Sequence, residues 1–234
     1  MKGPTPTVLV VNVGSRNADV TRRLGPWSKR APIAARFIRA RGADFVCIQE
    51  LYAEHRPALE RLLPNYYTDA VRGGRVILRR RESDIAVIGG SRWTDLLPGT
   101  GTKYAVARKY RLANHKSVLN LANAHLSFET NNAGVNKRAR EVPAFVKWIR
   151  SKFPTGYDAY FGDFNAPAGS TTRRDDVGPI FARYGLRDLA TTTTSRPPYG
   201  PNGYHLLRGF AGAIRALSIA SWPDAEQFTD HPAI

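Results

Sequence analysis

Carboxylates, amides and histidines occur in this sequence where apolar runs end. Asn12 follows Val8-Leu9-Val10-Val11, Glu50 closes the run Asp44-Phe45-Val46-Cys47-Ile48-Gln49, and His125 ends a run over residues 117–124. Asp163 and Asn165 follow Asp158-Ala159-Tyr160-Phe161, and Asp230 and His231 stand close to Ile234. A hard divalent cation takes carboxylate oxygens, a water nucleophile needs a base, and a crowded, anionic phosphorus centre needs donors such as Asn and His. As a set, these residues fit metal-assisted phosphoryl chemistry. Singly, each has a plainer role: Glu50 could cap a following helix, Asp163 and Asn165 could shape a turn, His125 could be a satisfied core histidine, and Asp230–His231 could be an ion pair.

The set has chemical meaning only if the fold gathers it, and strand ends in α/β architectures gather at one rim. Residues 8–13 form a β-branched run closed by Gly14-Ser15, which predicts a buried strand. Ile33, Phe37 and Ile38 fall at helical spacing before Gly42, and residues 44–50 predict a second buried strand. Leu59, Leu62 and Leu63 share one face of a helix expected over residues 54–63. Strand, helix, strand, helix indicates an α/β class. The middle is richer in strands, over residues 75–78, 85–88, 104–109 and 117–124, in a pattern suited to antiparallel pairing. Val142, Phe145, Val146 and Ile149 mark another helix, with Pro143 expected in its first turn or at a kink. A short strand over 158–161 opens into Gly162-Asp163-Phe164-Asn165, residues 180–184 suggest a short helix, and residues 191–203 read as a loop. No repeat or linker divides the chain, so residues 1–234 are expected to form one domain.

Of the 234 residues, 42% are hydrophobic, enough to exclude wholesale disorder, and the single cysteine, Cys47, excludes an internal disulfide framework. Cys47 reads as an inert core residue, and Trp27, Trp93, Trp148 and Trp222 as packing residues. No apolar run approaches a membrane span and no signal peptide is evident, so a cytoplasmic protein without a membrane partner is expected. The formal charge is +16, from 35 Lys and Arg against 19 Asp and Glu. Residues 1–120 carry most of this excess, with 22 basic against 9 acidic residues. Clusters stand at Arg72, Arg75, Arg79, Arg80 and Arg81, and at Lys103, Arg108, Lys109, Arg111 and Lys116. A polyanion is the expected partner, because each neutralised phosphate releases counterions. The alternatives are a solvated basic face and, for Arg79-Arg80-Arg81, a guard on an edge strand.

Five segments in order carry a resemblance: Val10-Val11-Asn12-Val13, the run ending Gln49-Glu50, Asn123-Ala124-His125-Leu126-Ser127, Tyr160-Phe161-Gly162-Asp163-Phe164-Asn165, and Thr229-Asp230-His231-Pro232. In these the chain resembles the endonuclease/exonuclease/phosphatase superfamily, with its DNase I-like fold. The resemblance implies a four-layer sandwich of two mainly antiparallel sheets flanked by helices. It also implies roles: Glu50, with Asn12 and Asp230, for a divalent metal, Mg²⁺ or Mn²⁺ in its place; His231 as general base; Asp163 orienting water or the leaving group; Asn165 and His125 donating to phosphate. Asn12, Arg79, Arg80, Arg108 and Lys109 are the expected phosphate- or DNA-binding positions. Asp69 is the candidate acid beside His125, and Tyr104 and Arg108 are candidates for the Tyr or Arg that the family places near the metal.

One position departs from the family's pattern. In Gly203-Tyr204-His205-Leu206-Leu207, His205 stands where the family carries the Asp that orients the histidine matched to His231. Either His205 is a catalytic substitution that changes the pH profile, or catalysis is weakened, or the loop aligns differently. Three functions remain in view: a metal-dependent nuclease acting as a monomer on DNA, with RNA as an alternative; a small-molecule or lipid phosphoesterase; and a nucleic-acid-binding or host-interaction protein on the same fold that has lost turnover.

Overall fold

The computed structural model describes residues 6–14, 25–98, 103–112, 117–129, 131–168, 176–189 and 205–212. The first strand, β1 (Val8–Asn12), is followed by helix α1 (Trp27–Arg41), and β2 (Phe45–Gln49) then pairs parallel with β1, Val10 opposite Cys47. Gly42 ends α1 in the left-handed conformation with its N–H on the carbonyls of Ile38 and Arg39, which satisfies orphan acceptors of the last turn. Helix α2 (Arg56–Leu62) leads into β3 (Tyr66–Arg72) and β4 (Arg75–Arg80), and the sheet order is β1-β2-β4-β3.

The second sheet begins with β5 (Ile85–Asp95), β6 (Tyr104–Leu112) and β7 (Val118–His125), an antiparallel meander. Helix α3 (Asn132–Lys152) carries the chain to β8 (Tyr157–Ala168), which pairs parallel with β7. The short α4 (Gly178–Ala182), β9 (Arg187–Asp188) and β10 (His205–Ala211) complete the described elements, in the sheet order β5-β6-β7-β8-β10-β9. Asn131 caps α3 by accepting from the Gly134 N–H, and Val142, Phe145, Val146 and Ile149 form its buried stripe. Pro143 lies in the middle of this helix, not in its first turn, because the helix starts at Asn132.

Three apolar clusters account for four layers. Ala31, Ala34, Ala35 and Ile38 of α1 pack on Val46, Ile48 and Val76, while Phe145, Val146 and Ile149 of α3 pack on Ala107, Ala122 and Tyr160. Between the sheets, Val10, Phe45, Cys47 and Ile77 meet Val106, Tyr110, Leu121 and Phe161. Each sheet therefore covers one face with helix and the other with its partner sheet, as the near-continuous apolar runs of β1 and β2 require. Burial raises the Cys47 thiol far above its ordinary pKa, so the residue is the inert core group expected. Among the described residues no helix is long and apolar enough to cross a membrane.

Two features position the site. The parallel pairs β1/β2 and β7/β8 are each joined by a helical crossover, so within each sheet two strands run toward the same edge, although β8 continues past the end of β7. Below that edge, the Asn123 amide crosses from β7 to the other sheet, donating to the carbonyls of Ile48 (2.8 Å) and Val76 (2.9 Å) and accepting from Gln49 Nε2 (2.7 Å). All of these groups are buried, and the Asn123 amide, bonded on both its oxygen and its nitrogen, ties the two sheets together at this point.

Candidate active site

Asn12, Glu50, His125, Asp163 and Asn165 stand together at the rim defined by the ends of β1, β2 and β7 and by the middle of β8. The Asn12 amide donates to Glu50 Oε1 and to Asp163 Oδ2, each at 3.0 Å, and its oxygen accepts from the Gly14 N–H. This links two carboxylates that lie 113 positions apart in the chain. Asp163 Oδ1 accepts from the Asn165 N–H at 3.0 Å, and Asn165 Nδ2 donates to the Leu126 carbonyl at 3.1 Å. His125 faces both carboxylates, with Nδ1 3.9 Å from Glu50 Oε1 and Nε2 3.8 Å from Asp163 Oδ2. These are ion-pair separations, longer than hydrogen bonds.

The backbone is bent to present two of these groups. Glu50 (φ 57°) and Asn165 (φ 51°) occupy the left-handed region, the only non-glycine residues among those described to do so. Such conformations cost energy and persist only where the surroundings impose them. Glu50 is held from behind by Gly74, whose Cβ position would lie 3.5 Å from the Glu50 Cα and 3.2 Å from the Tyr52 ring. In the Gly-Asp-Phe-Asn segment, Gly162 lies so close to β7 that a Cβ would come within 2.0 Å of the Ala124 carbonyl oxygen.

Glu50 Oε2 is buried and has no hydrogen-bond partner among the described residues. A buried carboxylate oxygen left unmatched is costly unless a cation meets it, and a hard divalent ion suits this chemistry. Among the described residues no three His, Cys, Asp or Glu side chains converge closely enough to hold a metal by themselves. A cation held by Glu50 would draw its remaining ligands from neighbours such as Asn12, from solvent, or from residues outside the described set, where Asp230 and His231 lie. His205 opens β10 opposite Ala168, on the strand that places Leu207 opposite Asp163, and its side chain is also outside the described set.

The basic candidates divide. Arg79 and Arg80 lie at the far end of β4, where Phe45 is opposite Arg79, and pair with Asp69 (2.8 Å) and Asp44 (2.9 Å). Strand β4 is interior to its sheet, so Arg79 and Arg80 do not guard an edge. Arg108 donates to the carbonyls of Asp69 and Gly89, and Lys109 donates to Thr155 Oγ1. None of the four is brought into contact with the carboxylates, and Asp69 is committed to Arg79 instead of His125, whose acidic neighbours are Glu50 and Asp163. Trp93, expected to pack, is 50% exposed, whereas Trp27 is buried as expected, with its indole N–H on the His55 carbonyl.

Residue typing alone did not single out three supporting groups. Arg75, 4% exposed, donates to the carbonyls of Gly73 and His125, tying the β3–β4 turn to the end of β7. Burial lowers its pKa, an effect opposed by Tyr52, Glu50 and Asp163. Glu141 accepts from the Ser127 N–H (3.0 Å) and hydroxyl (2.6 Å), which fixes the segment following His125. Gln49 anchors the Asn123 bridge, and its adjacency to Glu50 was the available signal.

Comparison with known proteins follows the same outline. Residues 11–209 match the Endonuclease/Exonuclease/phosphatase family. A search of curated sequences finds no match. Among solved structures, an endonuclease/exonuclease/phosphatase from Bacteroides vulgatus superposes with a TM-score of 0.77 at 16% identity, covering 97% of this chain and 96% of that one. The mannosyl-6-phosphatase Bt3783 of Bacteroides thetaiotaomicron gives 0.70 at 15% identity, over 89% and 86% of the two chains. A humanized TDP2 of D. rerio gives 0.68 at 16%, over 97% and 96%. At such identities the likeness establishes the fold, two mixed sheets flanked by helices.

Proposed function

Because the chain belongs to the endonuclease/exonuclease/phosphatase family, we propose that it is a divalent-metal-dependent phosphodiesterase, a nuclease that hydrolyses DNA. The observation that carries this reading is the buried, unpartnered Oε2 of Glu50 inside a converged cluster of Asn12, His125, Asp163 and Asn165. Glu50 would hold the cation, with Asn12 beside it and Asp230 as a second carboxylate. When bound, such a cation neutralises charge on the phosphoryl group and favours ionisation of water.

The chain's own groups supply the remainder. Asn12 sets the separation of Glu50 and Asp163 through its two N–H bonds. Asp163, held by Asn165 and Asn12, accepts a hydrogen bond from the attacking water and aims it at phosphorus. His125 and the second amide proton of Asn165 donate to non-bridging oxygens, where negative charge grows in the transition state. His231 would take the proton from water, with His205 in the role of orienting it. The +16 charge favours a polyanionic diester over a small monoester.

Supercoiled plasmid with Mg²⁺ tests this directly. Nicking that stops on chelation is expected, with no release of inorganic phosphate from mannose 6-phosphate. Phosphate release without nicking would favour a phosphomonoesterase, the activity named for the Bacteroides thetaiotaomicron structure. Plasmid binding without cleavage across Mg²⁺, Mn²⁺ and Ca²⁺ would favour a binding protein that has lost turnover.

A further inference from the structure

We propose that a shelf beside the carboxylate cluster, formed by Arg72, Trp93, Lys103, Tyr104 and Phe128, binds unpaired bases of a single-stranded nucleic acid. This rests on the nuclease reading for the reaction, but its geometry stands apart from it. Trp93 and Phe128 are 50% and 66% exposed, among the most exposed large apolar side chains described, and each carries a cation. The Arg72 guanidinium lies 4.0 Å from the centre of the Trp93 ring and 5.4 Å from that of Tyr104, and Lys103 Nζ lies 5.6 Å from that of Phe128. Trp93 and Tyr104 meet edge to face at 6.0 Å.

The shelf is continuous with the site. Tyr104 precedes Ala105, which is opposite Ala124, so it stands at the end of β6 beside His125. Its ring fills the space where a Cβ on Gly73 would lie, and the next residue, Gly74, backs Glu50. Lys103 Nζ donates to the Leu126 carbonyl, one residue past His125. A bulge between Ile88 and Arg92 shifts the outer part of β5, the edge strand that carries Trp93.

Exposed aromatic faces interleaved with cations suit an unpaired strand, whose bases stack on rings while its phosphates meet the charges. A duplex keeps its bases stacked on one another and offers these rings nothing. A buried packing role would leave neither Trp93 nor Phe128 so open.

Fluorescence anisotropy of a labelled single-stranded oligothymidylate, in chelator so that no turnover intervenes, tests the shelf with the full chain. Wild-type protein is expected to bind it more tightly than a blunt duplex of equal length. Trp93→Leu and Phe128→Leu should each weaken binding by about tenfold, the scale of one lost base stack, whereas Trp93→Phe should retain it. Arg72→Gln and Lys103→Gln should each reduce the slope of log affinity against log salt by about 0.7. Equal affinities of Trp93→Leu and Trp93→Phe, with thermal midpoints matching wild type, would overturn the proposal, as would equal binding of duplex and single strand. Affinity lost in Trp93→Leu while wild type nicks no plasmid would keep the shelf and remove the nuclease. Metal-dependent nicking with unmoved oligonucleotide affinity would do the reverse.

Discussion

Glu50 combines a left-handed backbone with a buried oxygen that no group among the described residues satisfies, and both features carry a stability cost. Stability should therefore respond to metal in a specific way. Addition of Mg²⁺ at about 100 times its dissociation constant should raise wild-type stability by about 2.7 kcal/mol, seen as a higher thermal midpoint than in chelator. Glu50→Gln should lose that response while melting in chelator no lower than wild type, because the amide removes a charge packed near Asp163. A Mg²⁺ response retained in Glu50→Gln would place the metal elsewhere. At this scale the sequence was informative where a polar residue closes an apolar run: Asn12, Glu50, His125, Asp163 and Asn165 all reach one rim. It was uninformative for Arg75, whose type merges into a basic cluster although the fold buries it against the His125 carbonyl. It misled for Asp69, because nothing local distinguishes a partner of Arg79 from a partner of His125.

The elements show why a glycine precedes Asp163. Strand β8 runs so close to β7 that any side chain at 162 would strike the Ala124 carbonyl, and its φ of 152° disfavours other residues. Gly162→Ala should destabilise by about 3 kcal/mol, combining overpacking with backbone strain. In a chain of this length that corresponds to a thermal midpoint lowered by about 6–12 °C, readable by calorimetry. A midpoint within a degree of wild type would mean that the two strands separate more easily than this packing implies. Most strands and helices were legible from their periodicity, but boundaries failed for physical reasons. Strand β3 hides because its inward and outward residues do not alternate cleanly. Strand β5 continues past Gly89-Gly90, which reads as a stop but acts as a bulge. Helix α3 begins ten positions before Val142, since its polar first half lacks an apolar stripe.

For the whole molecule, a polyanion partner was expected from the charge excess and its clusters, and the register separates those clusters in space. Arg72, Arg75 and Lys103 lie near the rim, while Arg79 and Arg80 lie at the other end of β4 in ion pairs. Arg80→Gln combined with Arg81→Gln should thus leave plasmid affinity and its salt slope unchanged; a slope reduced by about 1.8 would show that both residues touch phosphates. The sandwich itself was foreseeable from the family resemblance carried by five ordered segments, whereas periodicity alone indicated an α/β class with an antiparallel middle. The division of charge was not, since it depends on which end of a strand each arginine occupies. Glu50 at this rim is proposed to support hydrolysis of a phosphodiester. The most direct measurement is the initial rate of supercoiled-plasmid nicking in Mg²⁺ for wild type and for Glu50→Ala, with thermal midpoints confirming that both are folded. Wild type should nick the plasmid in a reaction that chelator abolishes, and Glu50→Ala should be slower by about a thousandfold, on the scale of losing a main electrostatic contributor. Equal rates for the two folded proteins, or none for wild type with any divalent metal, would contradict it.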